Sequence, residues 1–174
     1  MSQENLIAVV TDALRGQVQA ELPAELRVSL AATASAGEGA AGVSVHLFRV
    51  ALPIVARSVP LLSGDGRRLR PEMNLQLDYL LVGHADDALR AQASLGTAMR
   101  ALLQAPMLQE ESVRPLLSRP DLLDSLLPAS LSVHWKALEL PLQEQAAVWV
   151  AVGDRMGNGM FWRADVSWQG KAET

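Results

Sequence analysis

Residues 73 to 82 read MNLQLDYLLV, with apolar side chains at Met73, Leu75, Leu77, Tyr79 and Leu81 and polar ones at Asn74, Gln76 and Asp78. Successive side chains of a strand point to opposite faces, so this period of two predicts one face on a core and one face turned outward. What meets the polar row is the question that the rest of the chain has to answer.

The same alternation recurs four times. Leu26, Val28 and Leu30 form a short strand, and in GVSVHLFRV (42–50) Val43, Val45 and Leu47 oppose Ser44, His46 and Phe48. Leu131, Val133, Trp135 and Ala137 oppose Ser132, His134 and Lys136; Met160, Trp162, Ala164, Val166 and Trp168 oppose Phe161, Arg163, Asp165 and Ser167. Helical spacing appears at Leu6, Val10, Leu14 and Val18, behind Ser2 as N-cap and ending near Leu22 and Pro23. A second helix starts at Asp86 and Asp87, lines one face with Ala88, Ala91, Leu95, Met99 and Leu102, and stops at Pro106. A third, Leu142 to Val152, is expected to turn Leu142, Ala146, Trp149 and Val150 inward. Pro115, Pro120 and Pro128 restrict the stretch from Met107 to Pro128 to short helical turns. Residues 51–72 are the longest irregular connection and are rich in apolar side chains. Strands joined first by loops and later by helices predict an α+β fold: a mixed, largely antiparallel sheet of four to five strands with helices mainly on one face. A length of 174 residues suits one domain over 1–174.

Bulk chemistry narrows the function. Apolar residues make up 49% of the chain and charged ones 20%, the balance of a globular protein, and a net charge of −4 offers nothing to a phosphate-rich partner. Nucleic acid is therefore not expected. Cysteine is absent, which removes thiolate nucleophiles, disulfides and Cys-based zinc sites. No apolar run reaches the roughly 18 residues of a membrane span and the N-terminus has no basic leader, so cytoplasmic synthesis is expected.

A search for a reaction centre finds none. His84, Asp86 and Asp87 have metal-ligand chemistry, but acids in a first helical turn are what the helix dipole selects. SGDGRRLR lacks the GK[ST] ending of a phosphate loop, GDRMGNG does not fit G-x-G-x-x-G, and no G-x-S-x-G elbow stands ready for His46 or His134. The chain is thus expected to be no enzyme, with no catalytic, cofactor or metal residues. Trp135, Trp162, Trp168 and Trp149 fall on apolar faces as core residues, with Trp168, near the chain end, also an interface anchor.

Four blocks, VHLFRVALP, LRPEMNLQLDYLLVGHADDALRAQASLGTAMRALLQAPML, LSVHWKALELPLQEQAAVWVAVG and WRADVSW, resemble in that order the domain of tail-terminator, or cap, proteins of extracellular contractile injection systems. These are phage-tail-like particles of the Photorhabdus virulence cassette and antifeeding prophage type. The resemblance implies a structural protein that assembles as a hexameric ring on the last layer of inner tube and sheath of a contractile particle and stops elongation. It carries over no catalytic residues.

A subunit of a cyclic ring offers two unlike surfaces to its neighbours, so part of a sheet face can be covered by another chain. Asn74, Gln76, Asp78, Ser132, His134, Lys136, Arg163 and Asp165 are expected to form such a docking face, with Trp168 beside it. The loop 51–70, carrying Arg57, Arg67, Arg68 and Arg70, is expected to reach a neighbouring subunit or the tube. The alternative is a stand-alone protein-binding or chaperone-like module, which solution mass separates from a ring.

Overall fold

The computed structural model describes residues 3–30, 41–53, 72–126, 129–153 and 156–170. Ser2, Arg57, Arg67, Arg68 and Arg70 lie outside the described residues. Among the described residues the architecture is α+β around one sheet of six strands: β1 (Arg27–Ser29), β2 (Gly42–Ala51), β3 (Glu72–His84), β4 (Met107–Gln109), β5 (Ala129–Ala137) and β6 (Gly159–Gly170). Their order is β1-β2-β3-β6-β5-β4, with β1 parallel to β2 and every other pair antiparallel. The long alternating stretch of β3 therefore lies at the centre, paired with β2 on one side and β6 on the other.

One more strand is present than the alternation predicts. β4 is three residues long, too short to show a period, and forms because β5 offers it an edge: Leu108 pairs with Val133 and is buried, and Trp135 N donates to Pro106 O at 2.8 Å.

Four helices cover the core face: α1 (Leu6–Glu21), α2 (Ala88–Gln104), α3 (Glu110–Val113) and α4 (Pro120–Asp124). Leu77, Tyr79 and Leu81 of β3 and Val9, Val10 and Leu14 of α1 meet in that core with essentially no exposed surface. Each buried side chain of this kind contributes about 1.5–3 kcal/mol. Two polar side chains inside find partners across elements. Gln17 Oε1 accepts from Trp135 Nε1 at 2.8 Å, while its Nε2 donates to Ala101 O and Ala105 O, both at 2.9 Å, closing the C-terminal end of α2. The Tyr79 hydroxyl meets Thr11 Oγ1 at 3.0 Å. Trp135, Trp162 and Trp168 are all on this face, and the Trp168 Nε1–H has no acceptor among the described residues.

The fifth helix, α5 (Leu142–Ala151), packs on the opposite face through Trp149 and Val148, against Leu80, Val82 and Phe161. Its orientation corrects the expectation for this helix. Leu142, Ala146 and Val150 are exposed: Leu142, the first residue of the helix, shares the side of Trp149 two turns away yet is 69% exposed, and Ala146 and Val150 are turned progressively away from it. In α2, likewise, Ala91, Leu95 and Leu102 face the core while Met99 is exposed.

Candidate functional site: a polar lattice on the second sheet face

The even-numbered residues of β3 face away from the main core, and that second face is divided. At one end Leu80 and Val82 lie beneath α5 with Phe48 and Phe161; the two phenyl rings meet edge to face at 5.8 Å. At the other end the face is polar and open. Register sets it out in rows: Arg49, Asp78, Arg163 and Lys136 stand side by side across four strands, Gln76, Asp165 and His134 form the next row, and Asn74, Ser167 and Ser132 the third. Thus the sequence-predicted residues Asn74, Gln76, Asp78, His134, Lys136, Arg163 and Asp165 are brought together on one surface. An open groove of about 370 Å³ runs over the second and third rows, bordered by Pro53 and Lys136.

The rows are held by ion pairs. The Asp78 carboxylate, 1% exposed, accepts from Arg163 Nε at 2.7 Å and Arg163 Nη2 at 3.1 Å, and from Arg49 Nε at 2.6 Å. Two guanidinium groups on one buried carboxylate satisfy the burial that an isolated charge could not sustain. Arg163 is more firmly protonated as a result of the Asp78 hydrogen bonds. Asp165 accepts from Gln76 Nε2 at 3.0 Å and from Lys136 Nζ. Three cations and two carboxylates leave one surplus positive charge on a chain whose net charge is −4.

Arg49 is the member that strict alternation misses, since it falls in step with Val43, Val45 and Leu47. Leu47 pairs with Tyr79 but Arg49 pairs with Asp78, so Phe48 is an extra residue in β2. This β-bulge sends Phe48 to the apolar end of the second face and Arg49 to the polar end. A charged residue on the row assigned to the core was the available signal. Two expected residues sit elsewhere or play another part. Trp168 is buried on the core face and is no part of the polar surface, and Asp78 is reachable only through the arginines that cover it.

The acids near His84 are structural. Asp87 Oδ2 accepts from Arg90 N at 3.0 Å as the N-cap of α2, Asp86 pairs with Arg90, and His84 Nε2 meets Ser44 Oγ at 2.7 Å, a hydroxyl that also meets His46 Nε2.

The lattice has a pH signature. Partial burial pushes the Asp165 carboxyl up, but hydrogen bonds from Lys136 and Gln76, with the Lys136 and Arg163 charges, hold it below the ordinary value of 3.8. A carboxyl depressed on folding stabilises the fold above its unfolded pKa, and that contribution is lost as pH falls through the folded value. Wild-type protein is thus expected to exceed Asp165→Asn in stability above pH 3.8, with the gap closing on further acidification. Denaturant midpoints measured across this range check it; a gap independent of pH would contradict the ion-pair origin.

With this geometry in place, comparison with known proteins supplies a context. No curated protein matches the chain. Among solved structures it is similar to the sheath/tube terminator of the extracellular contractile injection system PVC, seen by cryo-EM in the extended state: TM-score 0.59, 14% identity, covering 95% of this chain and 57% of that one. It is also similar to the tube-terminating cap of the anti-feeding prophage, with TM-score 0.61, 14% identity, and coverage of 94% and 55%. The chain therefore shares the fold of both and spans little more than half of their length. A family model described as the Pvc16 N-terminal domain matches residues 9–160, and the chain belongs to that family.

Proposed function

We propose that this chain is a structural assembly protein that caps the inner tube and sheath of a contractile injection particle and ends its elongation. It acts as one terminator-like domain over residues 1–174, in a ring of six copies, made in the cytoplasm and built into a contractile particle. The observation that carries the reading is likeness over nearly the whole chain to two terminators, joined to family membership over 9–160. The reading assigns no catalytic residue and no cofactor. Its partners are further copies of the chain and the tube and sheath subunits.

The polar lattice is the surface proposed to dock on the particle. Groups already fixed by ion pairs give register and specificity at little cost in ordering, and the surplus positive charge favours an acidic partner surface. The segment 51–70, with Arg57, Arg67, Arg68 and Arg70, is proposed to add contacts to the tube or to a neighbour.

Cryo-EM of particles from a strain lacking the chain tests the function. Sheaths of uncontrolled length are expected, and the wild-type gene restores a fixed length. Particles of normal length without it would refute a terminator. Complementation with Lys136→Glu tests the surface, with loss of length control expected although the subunit folds.

A further inference from the structure

Arg49 reaches the polar face only because β2 carries an extra residue. Without the bulge at Phe48 it would stand in step with Val43 and Val45, on the core face. Bulges recur where a fold re-aims a side chain, often beside a functional site.

Stability does not account for this placement. Arg163 already gives Asp78 two hydrogen bonds, from Nε at 2.7 Å and from Nη2 at 3.1 Å, and is only 22% exposed. Arg49 adds one ion pair through Nε at 2.6 Å, from a side chain that is 50% exposed. A pair with one partner so open to water adds little to folding. A guanidinium group has five N–H donors, and among the described residues Nη1 and Nη2 of Arg49 have no acceptor. The charge balance points the same way. Asp78 is shared by Arg49 and Arg163, Asp165 is taken by Lys136 and Gln76, and among the described residues no other carboxylate pairs with these three cations.

We propose that Arg49 is the specificity-determining residue of the docking face: its Nη1 and Nη2 donate side by side to the carboxylate of an aspartate or glutamate on the docked protein. A planar carboxylate accepts two parallel N–H donors from a guanidinium fork, a geometry that lysine does not offer. Because Nε stays on Asp78, the fork is held before the partner arrives and little ordering is lost on docking. Arg49 also stands at the β2 end of its row, where an acidic side chain approaches without displacing Arg163 from Asp78. This assignment rests on the reading of the lattice as a docking surface.

Two probes test it with the full chain. One is fluorescein-labelled hexaglutamate at low ionic strength, read by anisotropy. The other is particles from the strain lacking the chain, read by co-sedimentation of added chain. Arg49→Met is expected to weaken binding to both about tenfold while keeping the wild-type circular dichroism spectrum. Arg49→Lys, which keeps the charge but not the fork, is expected to bind more like Arg49→Met than like wild type. Arg90→Met, which removes an exposed charge on α2, is expected to bind like wild type. Arg49→Met that binds like wild type overturns the assignment, and so does Arg49→Lys that matches wild type or Arg90→Met that falls as far as Arg49→Met. Where the wild-type chain binds the particles, they decide: binding that does not need Arg49 keeps the terminator reading and removes the carboxylate site. Where it does not, the terminator reading falls and hexaglutamate alone decides the site. Wild-type chain that binds neither probe overturns both.

Discussion

Replacing Asp78 with alanine is expected to lower the unfolding free energy by about 3 kcal/mol and the melting temperature by roughly 6–12 °C. The carboxylate is 1% exposed and is the shared acceptor of Arg49 and Arg163. Its removal leaves two cations facing each other across β3 with no counter-charge between them. Breaking a buried pair in this way costs about 3–5 kcal/mol. The lower end applies because Arg49 is 50% and Arg163 22% exposed, so both can turn partly to water. Arg49→Met removes a half-exposed partner while Arg163 still holds Asp78, and should cost under about 1 kcal/mol. The Asp78→Ala/Arg163→Met double variant should cost less than the sum of its parts, since it also removes a stranded charge. Urea unfolding of the wild type, the single variants Asp78→Ala, Arg49→Met and Arg163→Met, and the double variant decides it. If Asp78→Ala cost no more than Arg49→Met, the carboxylate would not be the anchor of the lattice.

The lattice also shows where sequence reading succeeds and stops. Period-two alternation located β2, β3, β5 and β6 and sorted Asn74, Gln76, Asp78, His134, Lys136, Arg163 and Asp165 onto one face, because side-chain direction along a strand is a local property. Which of those groups touch depends on register, which is set by strand partners far apart in sequence, 89 residues in the case of Gln76 and Asp165. Arg49 was hidden by a single inserted residue that reverses the row. α5 misled for another reason. Its sequence is apolar on every side, so periodicity could not say which side the sheet takes, and the size of Trp149 decided it. β4 exists only by borrowing an edge, and nothing within Met107–Gln109 announces that.

Glycine-to-alanine changes in two helices are expected to act in opposite directions, and the larger effect is at Gly16. Glycine in a helix interior costs about 1 kcal/mol relative to alanine, so sequence alone predicts a gain at both Gly16 and Gly96. At Gly96 of α2 a Cβ would meet nothing within 4 Å, and Gly96→Ala should raise stability by about 0.5–1 kcal/mol. At Gly16 of α1 an added Cβ would lie 1.9 Å from Leu116 O and 2.7 Å from Leu116 C, which are backbone atoms and cannot rotate aside. The segment at and after Leu116 is pinned to α1. Asp12 accepts from Ser118 N at 2.7 Å, Ser118 Oγ at 3.0 Å and Arg119 N at 3.1 Å, and Arg15 Nη2 donates to Leu116 O at 3.4 Å. Relief of the clash must therefore tear α1 from this clasp or shift α1 against the core. A net loss of about 3 kcal/mol is expected for Gly16→Ala, overriding the helix preference. Thermal unfolding of both variants reads the contrast, with the melting temperature falling for Gly16→Ala and rising for Gly96→Ala. A rise at both positions would mean that α1 does not approach residues 114–116 as closely as this fold requires.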